Sequence, residues 1–163
     1  MSPEERLSAL GLALPPAWEP GASLVMARSH GDLLYLAGHM GVDMTRTVNF
    51  HGRPDHHPIV DGILGLDIDL TQAMDVARGG ALNLIATMKR ELGELARVRS
   101  VLRMTAMVNT VPGYPSIHKV ADAASDLLIS VFGDAGHHVR STVGTTSQPA
   151  NSCFAIDALC VVD

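Results

Sequence analysis

The chain is poor in aromatic residues, with one Trp, two Tyr and three Phe. So sparse a set leaves no platform on which the bases of a single-stranded nucleic acid could stack. Basic residues are also scarce: 12 Lys and Arg against 17 Asp and Glu give a formal net charge of −5. That balance disfavours nucleic acid as a partner, and Arg97, Arg99 and Arg103, two or four apart, read as one solvated edge rather than a patch. There are two cysteines, Cys153 and Cys160. Seven apart in one apolar run, they fall on opposite faces of a strand, so neither a bridge between them nor a zinc site is expected. No uncharged apolar run reaches the length of about 18 residues that a membrane span needs. The start, MSPEERLSALGLALPP, lacks the basic opening and small-residue cleavage site of a secretory signal. Together these absences predict a cytoplasmic protein without a membrane role.

What is present suffices for a core. The 163 residues are 47% hydrophobic and 18% charged, and a chain of about 150 residues buries roughly two-thirds of its unfolded surface. One domain over residues 1–163 is expected, with residues 1–20 as an N-terminal extension. There Ser2, Pro3 and Glu5 fit the N-cap, N1 and N3 positions of a short helix with a capping box. SLVMARSHGDLLYLAGHM reads as a hairpin around a tight SHGD turn. The following Gly-, Asp- and His-rich segment to about residue 69 reads as a long irregular excursion.

Between Leu70 and Leu92 the apolar residues Ala73, Val76, Ala77, Ala81, Leu84, Ile85, Met88 and Leu92 recur every three or four places. This predicts an amphipathic helix capped by Asp69 with Gln72 and ended by Gly93, its interior Gly79 and Gly80 marking close packing on a sheet. VRSVLRMTAMVNT then sets Leu102, Met104, Ala106 and Val108 against Arg103, Thr105 and Met107, a strand with one buried face. A second helix follows, with Ile117, Val120, Ala121, Ala124, Leu127, Leu128 and Val131 on one face, Pro115 near its start and Gly133 after its end. Val139 to Ser147 and Cys153 to Val162 read as two strands around a QPAN turn. The order is β-β-excursion-α-β-α-β-β, an α+β arrangement. Two helices can cover one sheet face, yet the last strand is apolar on both: Phe154, Ile156, Ala158, Cys160 and Val162 on one, Ala155, Leu159 and Val161 on the other. The second face calls for a cover, which a symmetric oligomer would supply.

The chemistry narrows by elimination. Eight histidines invite a metal, but His56 beside His57 and His137 beside His138 point apart on a regular element, and no chelating spacing occurs; no metal is expected. A G-x-S-x-G elbow and a phosphate loop are absent, and neither cysteine has a cationic neighbour to activate it. Arg140 remains. On a strand it shares a face with Thr142, Gly144 and Thr146, a guanidinium beside a hydroxyl and small residues. Two readings stand: a solvated charge at a strand entrance, or a fork of donors that anchors a carboxylate.

The stretches LLYLAGHMGVD, ALNLIATMKRELGELARVRSVLRMTAMVN and ASDLLISVFGDAGHHVRSTVG, with the QP before the last strand, resemble the YjgF/YER057c/UK114 family, also called the reactive-intermediate deaminase (Rid) family. The ending SDLLISVFGDAGHHVRSTVG is similar to its endoribonuclease L-PSP-like subgroup. The resemblance runs from about Leu24 to Val162 and is weakest in the His-rich part around residues 51–57. It implies a chorismate-mutase-like α+β fold, a mixed sheet with two helices on one face, and a homotrimer whose sheets form a barrel with a ligand cleft at each subunit interface. In active members an arginine holds the substrate carboxylate. A glutamate on the last strand positions water, which hydrolyses an enamine or imine such as 2-aminoacrylate to a keto acid and ammonia, without a cofactor.

Residue by residue, the resemblance makes Arg140 the catalytic, carboxylate-holding arginine, Gly38 the strand-end glycine and Pro149 the turn proline. Thr142 stands where a cysteine is frequent, Ala37 where a serine is, and His118 where an asparagine is. Leu24 replaces a pocket tyrosine. The expected ligand-binding set is Arg140, Thr142, Gly38 and His118. Ala155 takes the place of the water-positioning glutamate, and a methyl group orients no water. Asp157 lies on the same face about 6 to 7 Å along the strand. Three functions follow in order: a trimer that binds a small carboxylate or imine ligand and hydrolyses it, with His118, His137 or His138 as substitute acid or base; a non-catalytic binding or sensing trimer; and, least favoured by charge, an endoribonuclease.

Overall fold

The computed structural model describes residues 1–20, 23–50, 53–58 and 62–163, with 42–50 and 53–58 as backbone. The first helix, α1 (Pro3–Ala9), begins with the capping box its sequence predicts: Glu5 N–H donates to the Ser2 hydroxyl and Ser2 N–H to the Glu5 carboxylate. The Glu4 carboxylate accepts from Lys89 Nζ and from the Leu95 N–H, both at 2.8 Å, which ties this short helix to the body of the protein.

Strands β1 (Ala27–His30) and β2 (Leu33–Met40) form the expected hairpin. His30 opposite Leu33 leaves Gly31 and Asp32 as a two-residue turn, and Gly31 takes the positive φ of 59° that such turns favour. The excursion is more regular than its composition suggests. It holds a separate two-stranded antiparallel sheet, β3 (Val42–Phe50) with β4 (Arg53–Pro58). Alternation of Val42, Met44, Val48 and Phe50 with polar neighbours was the available signal. Pro54 and Pro58, residues that strand interiors avoid, obscured it.

Helix α2 (Leu70–Leu92) carries the Asp69–Gln72 capping box and stops at Gly93, φ 78°. It is followed by β5 (Val98–Asn109), α3 (Ile117–Phe132), β6 (Val139–Thr145) and β7 (Phe154–Val162). The main sheet runs β1-β2-β7-β5-β6, with β5 and β6 parallel and every other pair antiparallel. The two strands around the QPAN turn are therefore not partners. After β6 the chain crosses over β5 to place β7 in the middle.

Helices α2 and α3 bury their apolar stripes against one face of this sheet, sharing a core with Leu34, Leu36, Met104, Ala106, Val108, Phe154, Ile156, Ala158 and Cys160. Contact between helix and sheet is close at Gly80, where an added Cβ would lie 3.2 Å from the Phe154 ring. Leu102, expected in this core, is instead 39% exposed. Pairing jumps from Val101–Cys160 to Arg103–Leu159, so Leu102 is the extra residue of a bulge and Val101 takes the buried position. On the opposite face Tyr35, Val139 and Val143 are exposed and Leu159 and Val161 half-buried. Among the described residues, no helix is long and apolar enough to cross a membrane.

Candidate functional site

Strand β6 is a sheet edge, and its register determines where Arg140 points. Arg140 pairs with Met104, Thr142 with Ala106 and Gly144 with Val108, all three partners buried beneath the helices. Directly paired residues share a face, so Arg140, Thr142 and Gly144 turn toward α3.

There Arg140 meets two side chains, one of which continues to a histidine. Its Nη2 donates to Asp122 Oδ1 at 2.7 Å and its Nη1 to Ser125 Oγ at 2.9 Å. Ser125 Oγ lies 3.0 Å from His138 Nε2, and His138 Nδ1 lies 2.7 Å from the Gly136 carbonyl. A carbonyl only accepts, so Nδ1 carries the proton and Nε2 receives the Ser125 hydroxyl. Burial lowers the His138 pKa, with the nearby Arg140 and His137 acting in the same direction against the Gly136 bond, and the ring is neutral. The chain of donors runs one way, from Arg140 to Ser125 to His138.

Local sequence builds this cluster. Asp122 and Ser125 are three apart on α3, hence neighbours on its surface, and His118 lies one turn before Asp122 on the same stripe. Gly136 closes the turn between α3 and β6. A Cβ there would come within 2.5 Å of the Leu128 carbonyl, so only glycine lets the turn pack tightly enough to present His138 to Ser125. The Arg140–Asp122 pair is 21% and 49% exposed. A pair this open contributes about 0–1 kcal/mol to stability, so its main effect is to fix the guanidinium's orientation.

Of the expected ligand-binding set, Arg140 and Thr142 face the groove between α3 and β6, and His118 is exposed on α3 one turn before Asp122. Gly38 lies elsewhere. It is on β2, within the bulge between Leu36 and His39, and three interstrand steps, roughly 14 Å, separate β2 from β6. An added Cβ at Gly38 meets nothing within 4 Å. Its neighbour His39 is buried, its Nδ1 donating to the Ala37 carbonyl at 2.7 Å and its Nε2 accepting from the Thr87 hydroxyl at 2.8 Å. Burial pulls the His39 pKa down to about 4. A neutral histidine thus bolts the Ala37–Gly38 bend to α2.

Ala155 and Asp157 are on β7, paired with Met107 and Thr105 on the sheet face away from the helices. Arg140 with its α3 partners therefore lies on one face of the sheet, and Ala155 and Asp157 lie on the other. Leu24 is 51% exposed and lines an open cleft with Glu19, Met26, Arg90 and Glu91. Burial raises the pKa of the free thiols Cys153 and Cys160 to about 11 and about 12, which leaves them unreactive as nucleophiles. The side chains of His51, His56 and His57 lie outside the described residues. Asp122 and Ser125 escaped sequence reasoning. The signal was Asp122 and Ser125, three apart among the alanines of VADAASDLL, but helical spacing alone does not say which strand faces them.

The comparisons agree with this architecture. Residues 55–162 match the family model described as "YjgF/chorismate mutase-like, putative endoribonuclease". Protein TCP17 of Trypanosoma cruzi is 32% identical over 154 residues, covering 94% of this chain and 89% of that protein. The crystal structure of Atu1372 from Agrobacterium tumefaciens, a protein of unknown function, is 33% identical with a TM-score of 0.85, covering 99% of this chain and 92% of the other. Escherichia coli TdcF, solved with bound serine, shares the fold at 16% identity and a TM-score of 0.57, over 92% and 94% of the two chains. With an α+β fold built on a mixed five-stranded sheet and a family match over most of its length, the chain belongs to the YjgF/chorismate mutase-like family.

Proposed function

We propose that this protein binds a small carboxylate-bearing metabolite at Arg140, in a cleft completed by a second copy of the chain. The observation that carries this reading is the state of the guanidinium. It is held at 21% exposure by Asp122 and Ser125, and these two bonds engage two of its five N–H donors. An arginine held on one side with donors to spare suits bidentate capture of a carboxylate. Serine bound to TdcF shows that the fold accommodates an amino acid in another member.

The cover comes from the oligomer. Tyr35, Val139 and Val143, 49%, 69% and 44% exposed, form the unburied apolar part of the free sheet face. In a homotrimer whose sheets enclose a barrel, this face is buried and the Gly38 and Ala155 half-site of one protomer meets the Arg140 half-site of the next. The mass in solution is then three times 17.3 kDa.

Imine or enamine hydrolysis is the reaction proposed for such a cleft: water adds to the C=N carbon and ammonia leaves, giving the keto acid. Ala155 supplies no base for that water, so the burden falls on Asp157 or His118. Incubation with freshly generated 2-aminoacrylate tests this. Keto-acid release above buffer supports hydrolysis, whereas release equal to buffer removes it and leaves a sensing trimer. The second reading is favoured by Ala155 itself. The endoribonuclease in the family's description suits this chain least, since its net charge of −5 opposes a polyanion.

A further inference from the structure

The geometry points to a zwitterionic ligand at Arg140, with Asp122 as the residue that recognises the ligand's ammonium or iminium group. This inference rests on the reading of Arg140 as a carboxylate anchor and adds what else the ligand must carry.

Arg140 brings one positive charge and Asp122, 2.7 Å away, one negative charge. His138 is neutral, its Nδ1 proton given to Gly136 and its Nε2 occupied by Ser125. The exposed Lys119 and Asp126 on the same helix cancel each other in charge. Within one protomer the groove thus has no surplus of positive charge, an Asp157 brought in by a second copy would add only negative charge, and a simple carboxylate entering it meets an arginine already neutralised by a carboxylate. Charge complementarity instead favours a ligand that is itself neutral overall and carries both signs.

Placement agrees with charge. Asp122 is 49% exposed and Arg140 21%. The aspartate is the more exposed of the two, so a ligand that reaches the guanidinium can also reach the carboxylate. Only Oδ1 is engaged with Arg140, which leaves Oδ2 as an acceptor. A ligand carboxylate on the remaining Arg140 donors would lie close enough to Asp122 to be repelled, and a cationic nitrogen on the adjacent carbon converts that repulsion into attraction. α-Amino acids and their iminium forms carry that nitrogen. Keto acids of the same skeleton do not.

The test is calorimetric titration of the full chain with L-2-aminobutyrate and with 2-oxobutyrate, which share carboxylate and carbon skeleton and differ in the α-substituent. Wild type is expected to bind the amino acid at least tenfold more tightly. D122N should abolish that preference, D122E should keep most of it, and R140A should lose both ligands; far-ultraviolet circular dichroism verifies that each variant is folded. Equal affinity of wild type for the two ligands, or a preference that survives D122N, overturns the assignment of Asp122 while leaving Arg140 as the anchor. Failure of wild type to bind either ligand overturns both.

Discussion

At Ser125 one hydroxyl serves a guanidinium and an imidazole at once. S125A removes an acceptor from Arg140 and a donor from His138. A cost of about 1 to 2 kcal/mol in urea unfolding is expected, because His138 Nε2 loses its partner in a partly buried site. Ligand affinity should weaken as well, through a guanidinium held by Asp122 alone. His39 makes a different prediction. Unfolded, it takes up a proton below about pH 6.5, whereas in the folded protein burial delays protonation to about pH 4. Its folded pKa is lowered, so the unfolded state binds more protons in this window and stability falls as the pH drops. Wild type should lose about 2 kcal/mol more than H39Q between pH 7.5 and pH 5 in paired urea titrations. Equal losses would show that other groups set the acid sensitivity.

The elements were legible where their ends carry their own chemistry. Asp69 with Gln72 and the closing Gly93 bound α2, and Ser2 with Glu5 opens α1, because capping is satisfied within a few residues of sequence. Features set by register were not legible. Leu102 leaves the core because β5 bulges against β7, and Arg140 finds Asp122 because β6 lies parallel to β5 under α3. Alternation on β6 placed Arg140 and Thr142 on one face correctly, but no local pattern names the helix that this face meets. Two glycines separate folding from function at this scale. A Cβ on Gly41 would sit 2.2 Å from the Val76 carbonyl of α2, whereas one on Gly38 meets open space. G41A should lower the melting temperature sharply; G38A should melt like wild type and show its effect only in ligand binding or assembly. A melting point reduced equally in both would refute the distinction.

For the whole molecule, the question is what the sheet does with its second face. Leu159 sits at the centre of that face on β7 and is half-buried in a single protomer. L159D places a charge where a trimer would close, yet leaves the core under α2 and α3 untouched. Light scattering should then report the 17.3 kDa protomer with native circular dichroism. Retention of the wild-type mass would mean that another surface holds the copies together. Composition had marked this face as needing a cover, since apolar residues on both sides of one strand are a global property that a single sequence displays.

The order of the sheet also bears on how the protein is made. Strand β7 follows every other strand in the chain yet lies between β2 and β5. Until it emerges during synthesis, the sheet exists as two unjoined pairs, β1–β2 and β5–β6, each with an open edge toward the gap. Strand β2 is complete by Met40 and β7 begins at Phe154, so during synthesis the β2 edge waits longest for its partner, whereas β6 is complete only at Thr145, shortly before β7 follows.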